Sequence, residues 1–404
     1  MGVAVHRKLT VRDLRAGNRA RVLRALYFDR PLSRQELAGI TGLSQASVST
    51  VVAELINDGI VVEAGQVDSD GGRPRVLLRV NPAHAAVVGV DVGETHVLVE
   101  VFDLTLRRLA EATLPMEPDV HSADDVARRV LDGLDRCLAD SGAGDVLGVG
   151  IGVPGQVEQG LVYAQTVGWH GVPLERMLRA GTDLPLFLDN GANTLGQAEV
   201  WFGAGRGTGD AVVALIGSGV GASVIADGVL YRGSSGGAGE WGHTTVALDG
   251  RPCRCGALGC LEAYIGATGV VSRYRAVEAA VPVEQEAALA ALAADDSPAA
   301  RDVLAETARY TGVGIGNLIN LFNPSWVIVG GWAGLLLGPR ILDDVRAEAA
   351  RHALRRPFEQ ATITLCELGP ESVALGAATL PVAEFLAAGG VRRRTAGLVH
   401  PGKA

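Results

Sequence analysis

Hydrophobic residues in the first part of the chain recur at helical spacing. Segment 19–28 carries them on one face and ends before Pro31, whose ring and missing N–H stop a helix. Ser33 and Glu36 stand three positions apart and predict a capping box at the start of a second helix. The expected buried face of that helix consists of Leu37, Ala38 and Ile40.

A third helix follows a tight turn that Gly42 allows, and Ser44 is its expected N-cap. Its inward face consists of Val48, Val51, Val52 and Leu55. Its outward face consists of Gln45, Ala46, Ser47, Ser49 and Thr50. Two helices joined by a glycine turn, the later one with short polar side chains outside, predict a helix-turn-helix that reads a DNA groove.

A β-hairpin is predicted after the third helix, with strands over residues 60–63 and 75–80 and a polar loop over 68–74. Such a hairpin forms a wing. Arg73 near its tip suits a phosphate or the minor groove, where the planar fork of arginine is favoured. The predicted DNA contacts are Arg34, Ser44, Gln45, Ala46, Ser47, Ser49, Thr50 and Arg73. The alternative is a three-helix module that contacts another protein, because Gln, Ser and Thr are also ordinary surface residues.

The distribution of charge favours DNA as the partner. The whole chain carries −9, but residues 1–80 hold twelve Lys and Arg against eight Asp and Glu, which gives +4 there and −13 in the remainder. A basic module joined to an acidic body is expected where only the module approaches a polyanion.

The rest of the chain alternates strand patterns with helix patterns. Strands are predicted over 87–93, 97–101, 146–155 and 211–216, and helices over 123–139, 287–294, 299–321 and 341–354. This alternation predicts α/β layers. Asn81-Pro82 interrupts the pattern, so a domain boundary is expected at 81–85. The 404 residues, 48% of them hydrophobic, suffice for two or three globular domains.

Neither a leader nor a membrane span is recognisable in the sequence. No basic-then-apolar segment opens the chain, and apolar stretches such as 313–338 are interrupted by Asn and Pro. A soluble, cytoplasmic protein without membrane contact is expected. Five cysteines in a reducing compartment do not predict disulfides, and Cys137 and Cys366 are expected to pack as small apolar side chains.

The most specific chemical signal is the group Cys253, Cys255 and Cys260, with His243 ten positions before the first of them. Three thiolates and one imidazole complete the tetrahedral set that Zn²⁺ prefers. Four protein ligands leave no open position, so the predicted zinc is structural. The alternative is a chance cluster of buried cysteines.

Seven motifs occur in the order in which the ROK family (repressors, open reading frames and kinases) carries them. They are 91–96, 152–155, 190–193, 216–221, 240–243, 253–262, and Asn323-Pro324 with Gly330-Gly331. The chain therefore resembles this family over nearly its whole length. The resemblance is to its NagC/XylR-type regulator branch, which carries a winged helix-turn-helix in front.

The resemblance implies an α/β fold in which a winged helix-turn-helix precedes a two-lobed, actin-like and ribonuclease-H-like domain with a sugar in its cleft. The expected domains are 1–82 for DNA binding and 83–391 for sugar binding. Lobe 1 is expected over about 83–190 plus a C-terminal helix at 372–388, and lobe 2 over about 191–371. The segment from Gly389 onward has little apolar content, and a disordered tail is expected, with 392–404 assigned to it.

The resemblance also implies the ligands of the cleft. Residues that match Asn190, Glu240, His243 and Glu262 hydrogen-bond sugar hydroxyls in the family. The kinases of the family carry their catalytic aspartate at the position of Gly191, so no catalytic residue is expected here.

Two neighbouring carboxylates bear on this expectation. Asp189 lies two positions before Gly191 on an extended strand, about 6–7 Å away, and is too distant to replace the missing base. Glu94 stands where the kinases have glycine, and its charge is expected to repel the phosphates of ATP.

The sequence thus predicts a sugar-responsive transcriptional regulator, a repressor of carbohydrate-utilisation genes, that binds operator DNA and a sugar effector. As in the family, a homodimer or homotetramer is expected. One alternative is an ATP-dependent sugar kinase with an N-terminal DNA-binding domain. Another is a regulator that responds to a partner protein through an exposed segment at 201–209. The glycines of 312–316 lie in a predicted helix and indicate close helix packing instead of a nucleotide loop.

Overall fold

The computed structural model of the chain describes residues 11–29, 31–69, 72–116 and 122–392. The N-terminal part consists of α1 Val11–Phe28, β1 Leu32–Ser33, α2 Arg34–Thr41, α3 Gln45–Asn57, β2 Val61–Ser69 and β3 Gly72–Val80. Its three strands form one sheet in the order β1-β3-β2. Within the described ranges no helix is long and apolar enough to cross a bilayer.

The local signals of the helix-turn-helix are confirmed. The Ser33 hydroxyl accepts from the Glu36 backbone N–H at 3.3 Å, and the Glu36 carboxylate accepts from the Ser33 backbone N–H at 2.9 Å. Gly42 adopts a left-handed φ of 68°, which a side chain would strain. All four residues of the predicted inward face of α3 are buried.

Two details of this part were predicted wrongly. Ile40 is 56% exposed, because the eight-residue helix α2 presents one buried side chain, Leu37, to the core. The predicted loop 68–74 is mostly strand, since Val67 pairs with Arg75 and Ser69 with Gly72. A register irregularity between Val67 and Ser69 tolerates Pro74, which has no N–H to pair. Arg73 lies in β3, and its side chain falls outside the described part of the chain.

The first half of the larger body is a five-stranded sheet with a small three-stranded sheet beside it. Its elements are β4 Ala86–Val92, β5 His96–Asp103, β6 Arg108–Pro115, α4 Ala123–Ser141, β7 Val146–Val153, β8 Gln156–Glu158, β9 Leu161–Ala164, β10 Trp169–Val172, α5 Leu174–Leu178 and β11 Leu186–Asn190. The large sheet has the order β11-β7-β4-β5-β6, with β4 antiparallel to β5 and parallel to β7. The central strand β4 is almost wholly apolar because both of its faces are covered.

The second half repeats this architecture. It contains α6 Gly191–Phe202, β12 Ala211–Ile216, β13 Val220–Ala226, β14 Val229–Tyr231, α7 Glu262–Ile265, α8 Ala267–Val277, α9 Gln285–Ala294, α10 Pro298–Phe322, β15 Trp326–Gly330, α11 Trp332–His352, α12 Arg355–Gln360, β16 Thr362–Leu365 and α13 Ser372–Ala387. The sheet order is β14-β13-β12-β15-β16, with β12 antiparallel to β13 and parallel to β15. Two sheets with the same strand order confirm the predicted two-lobed α/β fold.

The glycine-rich segment 312–316 lies inside α10 and packs against α11. A Cβ at Gly312 would lie 2.4 Å from the Cβ of Glu348, and one at Gly316 would lie 3.0 Å from the Cβ of His352. The glycines therefore let the two helix backbones approach closely, as predicted. Helix α11 begins at Trp332, nine residues before the predicted start at 341, and includes Pro339.

The C-terminal helix α13 packs on β4 and β7 of the first sheet and continues to the winged helix. The predicted disorder from Gly389 is wrong for residues 389–392. Arg19 donates from Nε to the Gly389 carbonyl at 2.9 Å, and Arg392 pairs with Asp145 at 2.9 Å. Small Gly390 fits against Ile60 of the winged helix. Residues 393–404, the rest of the predicted tail, lie outside the described part.

An aromatic cluster joins the winged helix to the larger body. Tyr27 and Phe28 end α1, and Trp201 and Phe202 end α6. The rings of Phe28 and Trp201 meet edge to face with centroids 4.8 Å apart, and Arg206 donates to the Phe28 carbonyl at 2.7 Å. Trp201 is 8% exposed, so the predicted exposed partner segment at 201–209 is wrong at its first residue. The segment therefore begins with a residue, Trp201, that packs against α1 of the same chain.

The hydroxyl of Tyr27 is buried in this cluster without a hydrogen-bond partner among the described residues. Burial raises the pKa of the phenol, and repulsion from Asp103 adds to the shift. An unpaired buried hydroxyl costs free energy because water no longer solvates it.

We expect Tyr27→Phe to raise the free energy of unfolding by about 1–2 kcal/mol, because it removes the unpaired hydroxyl and keeps the ring. Urea unfolding of both proteins measures the change. Tyr274→Phe is the matched control, since the Tyr274 hydroxyl donates to Asp295 at 2.9 Å and its loss should destabilise. A Tyr27→Phe protein less stable than wild type would contradict the interpretation.

Candidate ligand-binding cleft and metal cluster

A cleft of about 650 Å³ lies between the two lobes. Turns after β4, β7, β11 and β12 line it, together with residues 237–240. Ends of strands are common ligand sites in α/β folds because the turns there are free to carry polar groups. The charged lining consists of Asp91, Glu94, Glu158, Glu240 and Glu262, and no Lys or Arg belongs to the described lining.

All four predicted sugar ligands line this cleft. Asn190 is the N-cap of α6: its side-chain oxygen accepts from the Ala192 backbone N–H at 2.7 Å. Its side-chain nitrogen donates to the Gly155 carbonyl at 2.5 Å. These bonds fix the amide and leave one N–H and one oxygen lone pair that a ligand can use.

The two glutamates differ in their surroundings. Glu262 is 5% exposed, and one of its oxygens accepts from the Val220 backbone N–H at 3.0 Å. Glu240 is exposed at the cleft surface. Loss of hydration within the cleft raises the pKa of Glu240; nearby His243 opposes the shift and Glu262 adds to it. A carboxyl group of this kind can accept or donate a hydrogen bond to a hydroxyl.

Gly191 begins α6 and lines the cleft without a side chain. A Cβ at this position would meet its nearest atom, on Val373, at 3.6 Å, so packing leaves room for a Cβ. Asp189 is 8% exposed and accepts two hydrogen bonds from Arg232, at 3.0 and 2.7 Å, and one from Asn193 at 2.8 Å. This carboxylate is already paired, and it does not belong to the cleft lining.

The four predicted metal ligands form one cluster. The donor atoms of His243, Cys253, Cys255 and Cys260 lie within 4.8 Å of one another. The sulfurs of Cys255 and Cys260 are 3.8 Å apart, and Cys253 Sγ lies 3.7 Å from His243 Nδ1. A tetrahedral ion with metal–sulfur bonds of about 2.3 Å requires ligand separations of about 3.6–3.8 Å. The cluster therefore has the dimensions of a four-coordinate metal site.

Local backbone geometry closes the cysteine loop, and a cation would be needed to ionise its thiols. Gly259 has φ of 73°, and a Cβ there would lie 1.7 Å from the Ala247 carbonyl oxygen, so only glycine closes this loop. Burial raises the pKa of Cys253 to about 12 and also raises the pKa of Cys260. Thiols so close together ionise readily only beside a positive charge.

The predicted DNA-reading face lies at the start of α3. Gln45, Ala46, Ser49 and Thr50 are exposed, and Ser47 and Arg34 are half-buried. Ser44 caps the helix through its hydroxyl, which accepts from the Ser47 backbone N–H at 3.1 Å. The cap holds the first turn, and the small side chains leave its backbone accessible to a groove.

Similarity to known proteins covers both parts of the chain. Residues 87–384 match the ROK family, and residues 17–62 match winged helix-turn-helix DNA-binding domains. The chain belongs to the ROK family. The xylose repressor of Caldicellulosiruptor bescii is 30% identical over 386 residues, which cover 91% of this chain and 96% of the repressor.

Two solved structures match different lengths of this ROK protein. A ROK transcriptional regulator, described as a homologue of the Escherichia coli MLC protein, covers 93% of this chain and 98% of its own, with a TM-score of 0.74 and 26% identity. A glucokinase from Streptomyces griseus, solved with glucose and AMPPNP, covers 73% of this chain and 98% of its own, with a TM-score of 0.64 and 30% identity. The prediction of a sugar-responsive, DNA-binding regulator is thus confirmed at the level of the family branch.

Arg254 was missed by the sequence reasoning, although it stands between two metal ligands. It donates to Glu94 at 2.6 and 3.1 Å, to the Ser218 carbonyl at 3.0 Å and to Glu262 at 3.4 Å. Glu94 belongs to the first lobe and the other partners to the second. The expected repulsion from Glu94 is therefore offset by an ion pair. The signal available in the sequence was the position of Arg254 inside the C-x-C motif.

Two further contacts connect the lobes of the ROK domain. Arg232 follows β14 in the second lobe and binds Asp189 at the end of β11. Gln156 in β8 donates to the hydroxyl of Ser235 at 2.9 Å and to its carbonyl. No local pattern in the sequence marks these residues, because each partner lies more than forty positions away.

Proposed function

We propose that this ROK protein represses carbohydrate-utilisation genes and that a free, uncharged sugar in the cleft weakens its hold on operator DNA. The DNA-binding unit is 1–82 and the sugar-binding unit 83–391. One observation carries the proposal: a single chain joins a winged helix to a ROK cleft lined by Asn190, Glu240, His243 and Glu262. Xylose repressors are similar to this chain over nearly its whole length, and this similarity supports carbohydrate-utilisation genes as the target.

The chemistry of the lining supports a polyol ligand. Carboxyl and amide groups form paired hydrogen bonds with neighbouring hydroxyls, and a site built for hydroxyls rejects analogues that lack them. Asn190 is oriented by its two backbone bonds before any ligand arrives. Such a preorganised amide loses little entropy on binding.

The same cleft does not support phosphoryl transfer. That reaction needs a carboxylate that accepts the proton of the attacking hydroxyl. Gly191 supplies none, and Asp189 is committed to Arg232 and Asn193. This is why we favour a regulator without enzymatic activity over the sugar kinase, despite the likeness to glucokinases.

We further propose that the cluster of His243, Cys253, Cys255 and Cys260 holds a structural Zn²⁺. The separations of its donor atoms fit that ion, and four protein ligands leave no position for substrate. Coordination through Nδ1 would fix the imidazole of His243 and leave Nε2 for a sugar hydroxyl. By joining the segments that carry its four ligands, the zinc would also hold Glu240 and Glu262 near this ring.

Purified protein should contain one zinc per chain, and Cys260→Ser should lose most of it, because three ligands bind far more weakly than four. Mass spectrometry of metals measures the content. Cys137→Ser is the control, since that thiol donates to the Val99 carbonyl away from the cluster. Equal zinc in both variants would contradict the assignment.

Helix α6 offers a route from the sugar to the DNA. Its N-cap Asn190 lies at the cleft, and its last residues, Trp201 and Phe202, contact Tyr27 and Phe28. The helix has 12 residues and is therefore about 18 Å long. A tilt of α6 on sugar binding would shift the winged helix, provided that the sugar binds the two cleft conformations unequally.

Phe28→Ala tests this route because it truncates the half-buried contact of α1 with Trp201. We expect unchanged sugar affinity in calorimetry, but a sugar-induced change in operator affinity reduced by about threefold or more. Phe322→Ala, which truncates a 44% exposed ring at the end of α10, is the control. A full sugar response in Phe28→Ala would reject α6 as the route.

In an oligomer, this movement would change the spacing of two winged helices. We propose a homodimer or homotetramer that binds half-sites one or more helical turns apart. Arg34, Ser44, Gln45, Ala46, Ser47, Ser49, Thr50 and Arg73 are the proposed DNA contacts.

Fluorescence anisotropy with DNA from upstream of the chain's own gene tests the function directly. We expect a Kd of about 10⁻⁸ M or tighter, weakened about tenfold by at least one member of a panel of hexoses and pentoses. Incubation with labelled ATP and the same panel should give no sugar phosphate. Stoichiometric turnover would support the kinase alternative, and an unchanged anisotropy with every sugar would reject the effector proposal.

A further inference from the structure

Two glycine-containing turns face each other across the cleft. The turn between β4 and β5 contains Gly93 and Glu94, and the turn between β12 and β13 contains Gly217 and Gly219. Glycine turns at strand ends bring backbone N–H groups close together and commonly bind phosphate. The fold therefore has the shape of a phosphate site between these turns.

Charged side chains of the protein itself fill this space. A Cβ at Gly219 would lie 3.5 Å from a Glu262 oxygen, 3.6 Å from a Glu94 oxygen and 3.9 Å from Arg254 Nη2. The Arg254 guanidinium uses both terminal nitrogens, toward Glu94 and toward the Ser218 carbonyl. A phosphate could enter only by displacing Glu94 from the arginine.

The remaining charges of the cleft do not compensate for the loss of the Glu94–Arg254 ion pair. Within the described lining, Asp91, Glu158 and Glu240 are acidic and Lys and Arg are absent. An anionic ligand would therefore meet carboxylates without a free cation.

We propose that the Glu94–Arg254 ion pair determines the selectivity of the cleft: it occupies the phosphate position and restricts the site to uncharged sugars. Nucleotides and phosphorylated sugars are excluded because their phosphates compete with Glu94 for Arg254. This inference deepens the proposed function and rests on it for the identity of the sugar ligand. The exclusion of phosphate itself depends only on the residues of the pair.

The proposal predicts that Glu94→Gly creates a phosphate site. The substitution opens the space and frees Arg254, whose planar fork suits phosphate oxygens. The probe is a fluorescent N-methylanthraniloyl derivative of ATP with Mg²⁺. We expect Glu94→Gly to bind it about tenfold tighter than the wild type or better, and inorganic pyrophosphate to displace it.

Two further variants separate occupancy from charge. Glu94→Gln keeps the space filled and removes one negative charge, so it should gain much less affinity than Glu94→Gly. Glu359→Gln breaks an exposed arginine–glutamate pair outside the cleft lining, that of Glu359 with Arg355, and should bind the probe like the wild type. Zinc content and urea unfolding show whether each variant is folded, and Glu94→Ala replaces Glu94→Gly if the latter is not.

The outcomes are distinct. Probe binding by Glu94→Gly that equals wild type, or that is matched by Glu359→Gln, would overturn the proposal. A wild-type protein that ignores every sugar in the operator assay, while Glu94→Gly gains the probe, would reject the effector proposal and leave the role of the ion pair standing.

Discussion

The structure depends on one close contact, the packing of helix α13 directly on the backbone of the first sheet. A Cβ at Gly89 would lie 2.0 Å from the Ala374 carbonyl oxygen, and one at Gly150 would lie 1.7 Å from that of Ala377. Gly376 makes an equally close approach to the Thr194 carbonyl in α6, at 1.9 Å. Interiors packed this tightly transmit displacement. Since α13 lies on the first sheet and α6 also packs on β12 and β13 of the second, the two helices form one connecting unit between the sheets.

This unit connects the cleft to the DNA-binding part. Helix α13 begins beside the cleft, where Val373 belongs to the lining, and the chain after it reaches Arg19 of α1. Helix α6 begins at Asn190 and ends on the aromatic residues of α1. The two helices touch the winged helix at different places. A rotation of the first sheet relative to the second would therefore change the orientation of the winged helix, and not only its distance from the cleft.

Several predictions that succeeded depended on local patterns, and the side-chain pairs that were missed depended on distant partners. The capping box at Ser33, the turn at Gly42 and the cysteine motif are short patterns whose cause lies within about ten residues. Arg254 and Arg232 could not be paired from the sequence, because Glu94 and Asp189 reach them only through the fold. Trp201 looked like a loop residue because its partner, Phe28, lies in another part of the chain.

A sensor needs two conformations of similar free energy, and several contacts here are weak enough for that. The Arg254 and Arg232 side chains of the cross-lobe pairs are 30% and 46% exposed, so water screens part of their attraction to Glu94 and Asp189. The aromatic cluster favours contact of α1 with α6, whereas the unpaired Tyr27 hydroxyl opposes it. Effectors typically shift such equilibria by about 1–3 kcal/mol. Under the proposed function, a sugar that gains a few hydrogen bonds in one conformation supplies free energy of that order.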